Sequence, residues 1–161
     1  MFNDIMYPRQ TVLVCASENG KSNLAAVDWA MPVSEKPPIV AISLHSGSLT
    51  LDLICASMDF VVAIPTEKMK DAVLLCGTTS GKYIDKFSES GLTPVKAKKV
   101  SAPLVLEAAA NLECRVLSYN STGDHSLVIG EVVEEHLPKD GMDAPLLFNK
   151  GGKKLFGFKL E

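Results

Sequence analysis

The sequence predicts a mainly β domain, a closed or nearly closed β-barrel with two or three short helices. Short runs of β-branched and apolar residues recur along the chain, each bounded by Gly, Pro, Asn or Asp. The helical stretches between them are few and do not alternate regularly with strands, which disfavours a doubly wound parallel sheet. Closing the strands into a barrel also removes exposed strand edges.

Four strands are predicted in the first half of the chain. They cover residues 11–17, 23–30, 39–44 and 60–65. A tight turn over residues 18–21 joins the first two strands. Pro32 and the pair Pro37-Pro38 interrupt regular hydrogen bonding, so residues 31–38 are predicted to form an ordered, irregular loop.

Two short helices are predicted around the fourth strand. Ser48 or Thr50 caps a helix over residues 51–57, because a hydroxyl at the N-cap accepts a bond from the first turn. Thr66 begins a second helix with an apolar stripe, and this helix ends near Gly77.

The second half of the chain returns to strands after one more helical stretch. Thr79 or Ser80 opens that stretch, which contains Asp85, Lys86 and Phe87. Gly, Asn and Asp turns then separate the predicted strands. These cover residues 112–119, 125–135 and 155–160.

The composition fits one globular domain and excludes several classes of protein. The 161 residues are 47% hydrophobic and 22% charged, which is typical of a folded domain rather than a disordered chain. A net charge of −3 with only small groups of lysines argues against nucleic-acid binding. No apolar stretch approaches the roughly 20 residues that cross a bilayer, and residues 1–9 lack the pattern of a signal peptide. We therefore expect a soluble, cytoplasmic protein that does not contact a membrane.

The four cysteines are predicted to be reduced, structural thiols. They lie far apart in apolar surroundings and form no C-x-x-C pair, at Cys15, Cys55, Cys76 and Cys114. We expect no metal site. The motifs G-x-S-x-G, H-E-x-x-H and G-x-x-x-x-G-K-[ST] are also absent from the sequence, so no template for hydrolysis stands out.

Several short motifs follow one another in a specific order. They are Tyr7-Pro8-Arg9, Gly20-Lys21-Ser22-Asn23, the run from Trp29 to Ser34, Thr50 ahead of Asp52, Ser80-Gly81, Asp85-Lys86-Phe87 and Gly123-Asp124-His125. With these motifs the sequence resembles the flavin reductase-like FMN-binding family, which includes flavoredoxins and the reductase components of two-component monooxygenases. The resemblance runs from Tyr7 to about Gly157. It implies one domain over residues 1–161, folded as an FMN-binding split β-barrel with Greek-key topology.

The resemblance also implies which residues bind FMN. They are Asn23, Trp29, Ala30, Met31, Pro32, Ser34, Ser48, Thr50, Lys82, Lys86, His125 and Phe158. Trp29 offers a flat apolar face to a planar ring, although ordinary core packing is the alternative. Thr50 presents a hydroxyl and a backbone amide to the phosphate at a helix N-terminus. Lys86 supplies positive charge, where an isolated lysine is more often a solvated surface group.

Three of the implied roles leave alternatives open. Asn23 either binds the flavin or fixes the adjacent loop, and an Asn that merely ends a turn is equally compatible. His125 is the catalytic candidate, as a donor to the flavin or a contact for the nicotinamide; the alternative is a histidine bonded to backbone. Either Phe156 or Phe158 covers the flavin ring.

One position departs from the family pattern. Many relatives carry an arginine two residues before the threonine that corresponds to Thr50, and Ser48 stands there in this chain. The phosphate charge then falls on Lys86, on Lys82 or on backbone amides, and His45 lies close enough in sequence to contribute.

The resemblance implies a homodimeric enzyme in which NADH or NADPH reduces FMN and the electrons pass to an acceptor. The alternative is an FMN electron carrier, fed by a redox protein partner and without NAD(P)H activity of its own. A third possibility is a split barrel without flavin that binds haem or another ligand.

Overall fold

The computed structural model describes residues 2–138 and 143–159 and contains strands and a few short helices. The strands are β1 (Arg9–Gln10), β2 (Val12–Glu18), β3 (Lys21–Val27), β4 (Ala30–Glu35), β5 (Pro38–His45), β6 (Asp59–Ile64), β7 (Pro94–Val95), β8 (Leu104–Val105), β9 (Ala110–Thr122), β10 (His125–His136), β11 (Leu146–Asn149) and β12 (Leu155–Phe158). The helices are α1 (Leu49–Ser57), α2 (Lys70–Thr78) and α3 (Lys86–Ser90), with 3-10 turns at Phe2–Met6 and Glu67–Met69.

A seven-stranded antiparallel sheet forms the body of the protein. Its strand order is β3-β2-β6-β9-β10-β5-β4, so the β2–β3 and β4–β5 hairpins lie at opposite edges. The sheet curls until β3 contacts β5, which gives a split barrel rather than an open layer. The predicted fold class, a mainly β split barrel with a few short helices, is confirmed. A three-stranded sheet, β1-β11-β12, packs beside this body.

Strand β2 is buried on both faces, which explains its continuous apolar run. Val12, Val14 and Ala16 point into the barrel, where they pack with Phe60 and Val128. The alternate positions of β2, occupied by Leu13 and Cys15, point outward into a second core beneath α2 and the small sheet. Because side chains alternate across a strand, both cores meet along β2.

The predicted irregular loop over residues 31–38 is wrong. Residues Ala30–Glu35 form strand β4, and Pro38 begins β5, with the two strands paired antiparallel. The ladder tolerates Pro32 because β4 is an edge strand of the sheet and its register shifts between Pro32 and Ser34. A proline without an N–H is compatible with an edge or a bulge, where no ladder bond is lost.

The ends of other elements also differ from the prediction. Ser48, rather than Thr50, caps α1, and its Oγ accepts a hydrogen bond from the Leu51 N–H at 3.2 Å. The third helix does not begin at residue 79 or 80; it begins at Lys86, because the Asp85 carboxylate caps it. Strands β9 and β10 extend to the hairpin at Gly123, where φ is +81°, and the strand predicted to reach residue 160 ends at Phe158.

No helix in the described part of the chain is both long and apolar enough to cross a bilayer. Residue 160, the last position of the predicted final strand, lies outside the described residues.

Candidate functional site

A cleft of about 500 Å³ opens between β3, β5, the start of α1 and the segment that follows α2. Cavities of a few hundred Å³ are typical of small-molecule sites. The predicted site residues among those lining this cleft are Asn23, Trp29, Ser48, Thr50, Lys86 and His125. These residues lie on β3, in the link between β3 and β4, at the start of α1, on α3 and on β10, so the fold rather than local sequence brings them together.

One end of the cleft is formed by the N-terminus of α1. Thr50, in the first turn of this helix, is fully buried, and its Oγ1 accepts a hydrogen bond from Asn23 Nδ2 at 3.0 Å. The first N–H groups of a helix lack intrahelical partners, and the helix dipole makes this end positive. This end of the cleft therefore suits an anion.

A buried lysine adds a full positive charge to the same cleft. Lys86 is only 5% exposed, and its Nζ donates a hydrogen bond to the Cys76 carbonyl at 2.6 Å. Burial lowers the pKa of Lys86 below its ordinary value, and the nearby Cys76 thiol opposes this only in part. An anion in the cleft would relieve the cost of burying the ammonium group.

Aromatic and imidazole rings form the other end. The Trp29 and His125 rings lie with centroids 4.6 Å apart at 36°, and His45 meets His125 edge-on at 5.5 Å. His125 Nδ1 lies 2.7 Å from the Asp124 carboxylate, and this hydrogen bond lowers the pKa of Asp124. The histidine is thereby held on both sides, by ring packing and by a carboxylate.

Arg9 and Asp28 connect the aromatic end to the rest of the molecule. The Arg9 guanidinium lies 4.6 Å from the centroid of the Tyr7 ring and 5.7 Å from that of Trp29. Asp28, adjacent to Trp29, accepts hydrogen bonds from Thr11 Oγ1 and Asn149 Nδ2. Burial, with Asp28 nearby, raises the pKa of Tyr7. These contacts hold the chain segment that contains Asp28 and Trp29 in place.

Three of the remaining predicted residues lie near the cleft but do not line it. Ala30 and Met31 line a second, mainly apolar cavity of about 490 Å³, which shares Trp29 with the cleft as a common wall. Lys82 reaches the rim, where its Nζ donates to the Gly47 carbonyl at 3.0 Å and lies 3.8 Å from Asp52 Oδ2.

Pro32, Ser34 and Phe158 are not brought to the cleft. Pro32 and Ser34 lie on the edge strand β4, away from the residues that line the two cavities. Phe158 is 47% exposed and packs edge-on against Phe148 in the small sheet, at 5.5 Å between ring centroids. Phe156 also packs against Phe148, at 6.1 Å, so neither phenylalanine covers the cleft within this chain.

The cleft also contains residues that the site prediction omits. They are Tyr7, Asp28, Gly47, Cys76, Gly77, Thr79, Ser80 and Gly81, among others. Tyr7 and the pair Ser80-Gly81 belong to the motifs that carry the family resemblance, so a signal for them was present. For Gly77 and Asp28 the signal is weaker, because only the packing of α2 and β3 brings them to the cleft.

Burial makes three of the cysteines poor nucleophiles. Burial raises the pKa of Cys76 to about 11 and that of Cys114 to about 12, and it raises the pKa of Cys15 further still. A thiol with a raised pKa carries little thiolate at neutral pH. Cys15, Cys76 and Cys114 therefore act as packing residues of the two cores.

The fold and the cleft together define a split-barrel protein whose cleft suits an anionic ligand with a planar ring. The chain belongs to the flavin reductase like domain family, whose profile matches residues 4–156.

Individual relatives agree with this membership. An uncharacterized protein of Archaeoglobus fulgidus is 37% identical over 81% of this chain and 73% of its own length. A flavin reductase of Pseudomonas putida is 31% identical over 91% of this chain and 82% of its own. Among solved structures, the flavoredoxin of Desulfovibrio vulgaris superposes with a TM-score of 0.87 at 25% identity, covering 96% of this chain and 89% of that one.

Proposed function

We propose that the protein binds FMN in this cleft and acts as an NAD(P)H-dependent flavin reductase that passes electrons to an acceptor. The observation that carries the proposal is one continuous cleft with a buried anion-binding end and a ring-binding end. Family membership supports the same reading, since a relative named flavin reductase is 31% identical over most of the chain.

The residues at the anion-binding end fit the phosphate of FMN. The N-terminus of α1, the buried Thr50 hydroxyl and the Lys86 ammonium form a set of donors that line the cleft. Charge-assisted hydrogen bonds to a phosphate are the strongest class of such contacts. Ser48 replaces the arginine of many relatives, so Lys86 carries the principal positive charge.

The residues at the other end fit the isoalloxazine ring. Trp29 and His125 supply flat surfaces, and His125 adds a polar group. FMN held by these residues would supply hydride and electron transfer, chemistry that the protein itself lacks. The chain's part is to bind, orient and stabilise charge.

His125 is the residue that we expect to handle charge at the ring. Its Nδ1 is engaged by Asp124, which leaves Nε2 as the atom free to meet a second partner. A donor at that atom would stabilise negative charge as the ring is reduced.

A flavoredoxin-like electron carrier is the second candidate. The structural similarity to a flavoredoxin over nearly the whole chain favours it. Such a carrier would be reduced by a protein partner and not by NADH or NADPH directly.

We also propose that the protein is a homodimer. The second cavity lies beside exposed apolar residues of the N-terminal turn and of β4, namely Phe2, Met6, Met31 and Val33, which are 46–76% exposed. A contiguous exposed apolar surface of this kind is unusual on a monomer. Because Trp29 separates this surface from the cleft, a second subunit bound there would lie next to the flavin site.

Two measurements, made one after the other, test the proposed function. The purified protein is expected to show the two-band absorption of a flavin, released as FMN, or to bind added FMN. Rapid mixing with NADH or NADPH should then bleach that absorption. A protein that binds no flavin contradicts the proposal, and a flavoprotein that neither nucleotide bleaches is the carrier.

A further inference from the structure

Gly81 lies directly against the carboxamide of Asn23 at the anion-binding end of the cleft. A Cβ at position 81 would stand 2.5 Å from Asn23 Cγ and 2.7 Å from Asn23 Nδ2, and it would overlap Asn23 Oδ1. Non-bonded heavy atoms attract at about 3.5–4.0 Å and repel well inside that range. Position 81 therefore requires glycine because of the space that Asn23 occupies. Backbone conformation is not the reason, because the φ of Gly81 is not in the left-handed region.

Asn23 is held between Gly81 and α1. Its side chain is 3% exposed, and its Nδ2 donates to Thr50 Oγ1 at 3.0 Å. The backbone of Asn23 is fixed as well, because it pairs with Ala16 inside the β2–β3 hairpin. Gly81 therefore contacts one side of the Asn23 amide while the amide Nδ2 bonds to Thr50 on another.

The Thr50 hydroxyl is thereby left with a hydrogen to donate. A hydroxyl oxygen accepts up to two hydrogen bonds and donates one. Asn23 Nδ2 occupies one acceptor position, and within residues 2–138 and 143–159 the structure records no acceptor for the hydroxyl hydrogen. Thr50 is fully buried and lines the cleft, so the acceptor for that hydrogen lies within the cleft, as water when no ligand is bound or as a bound ligand.

We propose that Gly81 and Asn23 are positioning residues that orient the Thr50 hydroxyl as a hydrogen-bond donor to the phosphate of the bound flavin nucleotide. This inference rests on the proposed function. It gives separate roles to three residues of the sequence motifs: Thr50 contacts the phosphate, Asn23 orients Thr50, and Gly81 makes room for Asn23. The contact would select a flavin that carries a phosphate over riboflavin, which lacks one.

The test compares the affinities for FMN and riboflavin, measured by quenching of flavin fluorescence. Gly81→Ala should weaken FMN binding by about tenfold or more and riboflavin binding much less, because the lost contact is to a charged group. Asn23→Ala, which adds no bulk, should lower the FMN-to-riboflavin affinity ratio in the same way. In the Asn23→Ala background, Gly81→Ala should cause little further loss, since its Cβ enters vacated space.

Gly152→Ala is the matched control for a destabilised chain. Gly152 has φ +59° and nothing within 4 Å of a Cβ, so alanine there strains the backbone between β11 and β12 without meeting a neighbour. This variant should lose stability and keep the affinity ratio. If Gly81→Ala and Asn23→Ala also keep the ratio, the positioning role is overturned while FMN binding stands. If the unmodified protein binds neither flavin, the proposed function fails and this inference with it.

Discussion

Lys86 combines two roles that a surface lysine does not have. Its ammonium group caps the last turn of α2 through the Cys76 carbonyl, and it lines the cleft. A buried cation with one carbonyl partner retains N–H groups that can bind an anion, since an ammonium has three donors. The position of this charge therefore links the end of a helix to the phosphate end of the cleft.

We expect Lys86→Met to weaken FMN binding by about 1–3 kcal/mol, because a charge-assisted contact is lost while the aliphatic bulk remains. Titration by flavin fluorescence measures this change. Lys70→Met, at an exposed lysine at the start of α2, is the control and should leave the affinity unchanged. Equal affinities for Lys86→Met and the unmodified protein would remove Lys86 from the phosphate site.

Glu113 is a fully buried carboxylate on β9. It does not line the cleft, and we expect it to contribute to stability. Burial raises its pKa, but hydrogen bonds from the Lys98 and Lys99 N–H groups and from His136 outweigh burial, so the pKa lies below its ordinary value. A carboxylate with a lowered pKa in the folded state stabilises the protein above the ordinary pKa, about 4.3 for glutamate. That contribution is lost as the pH falls through the lower, folded-state pKa.

Glu113→Gln should lower the free energy of unfolding at neutral pH by about 1–3 kcal/mol, since hydrogen bonds to a charged acceptor are weakened. It should also flatten the loss of stability on acidification. Urea unfolding at a series of pH values from about 7 to about 3 measures both effects. Glu135→Gln, at an exposed position of β10, should do neither, and an unchanged acid slope in Glu113→Gln would contradict the assignment.

At the scale of single residues, much of the candidate site could be predicted from the sequence. Trp29, Thr50, Lys86 and His125 were named from motifs and all line the same cleft, although their binding roles remain predictions. The contact between Gly81 and Asn23 could not be predicted, because it depends on how the segment after α2 returns to β3. Motifs identify residue types, whereas packing decides which residues touch.

At the scale of elements, helix α1 shows how a cap and a binding site share one turn. Ser48 Oγ accepts from the Leu51 N–H, and Ser48 stands where the family resemblance leads us to expect an arginine. The site therefore lacks a charge at this position but keeps a well-capped helix. The positive end of α1 compensates in part for the missing side-chain charge.

Two substitutions at Ser48 should separate the cap from the ligand site. Ser48→Ala should reduce stability by about 1 kcal/mol through loss of the cap. Ser48→Asp keeps an acceptor for the cap and should preserve stability, yet its negative charge should weaken FMN binding by repelling the phosphate. Thermal unfolding without ligand and FMN titration measure the two effects; tighter FMN binding by Ser48→Asp would contradict this placement of the phosphate.

Strand β4 marks the limit of element prediction from local sequence. Pro32 and the Pro37-Pro38 pair read as a loop because proline disrupts ladders in general. The observed strand β4 tolerates its proline because it lies at the sheet edge and has a bulge next to Pro32. Whether a strand is central or at an edge is a property of the whole sheet, so no window of neighbouring residues reveals it. Strands β2 and β6, with continuous apolar runs, were predicted to within one or two residues.

At the scale of the whole molecule, the proposed dimer depends on the apolar surface around the second cavity. Met31, 60% exposed on β4, lies on this surface. Met31→Lys should convert a dimer into a monomer, because burying an unpaired ammonium group at an interface is costly. Sedimentation or light scattering measures the mass. Leu106→Lys, also at an exposed apolar position but next to Thr93, should leave the dimer intact, and a monomeric unmodified protein would contradict the proposal.

The position of β2 between the two cores has a consequence for how the protein opens. Amide hydrogens exchange with solvent only when their segment opens, and segments with few buried contacts open first. Opening either core uncovers one face of β2, but its backbone stays bonded to β3 and β6 until both cores separate. The amides of β2 should therefore exchange at the rate of global unfolding, so the barrel and the layer outside it behave as one cooperative unit.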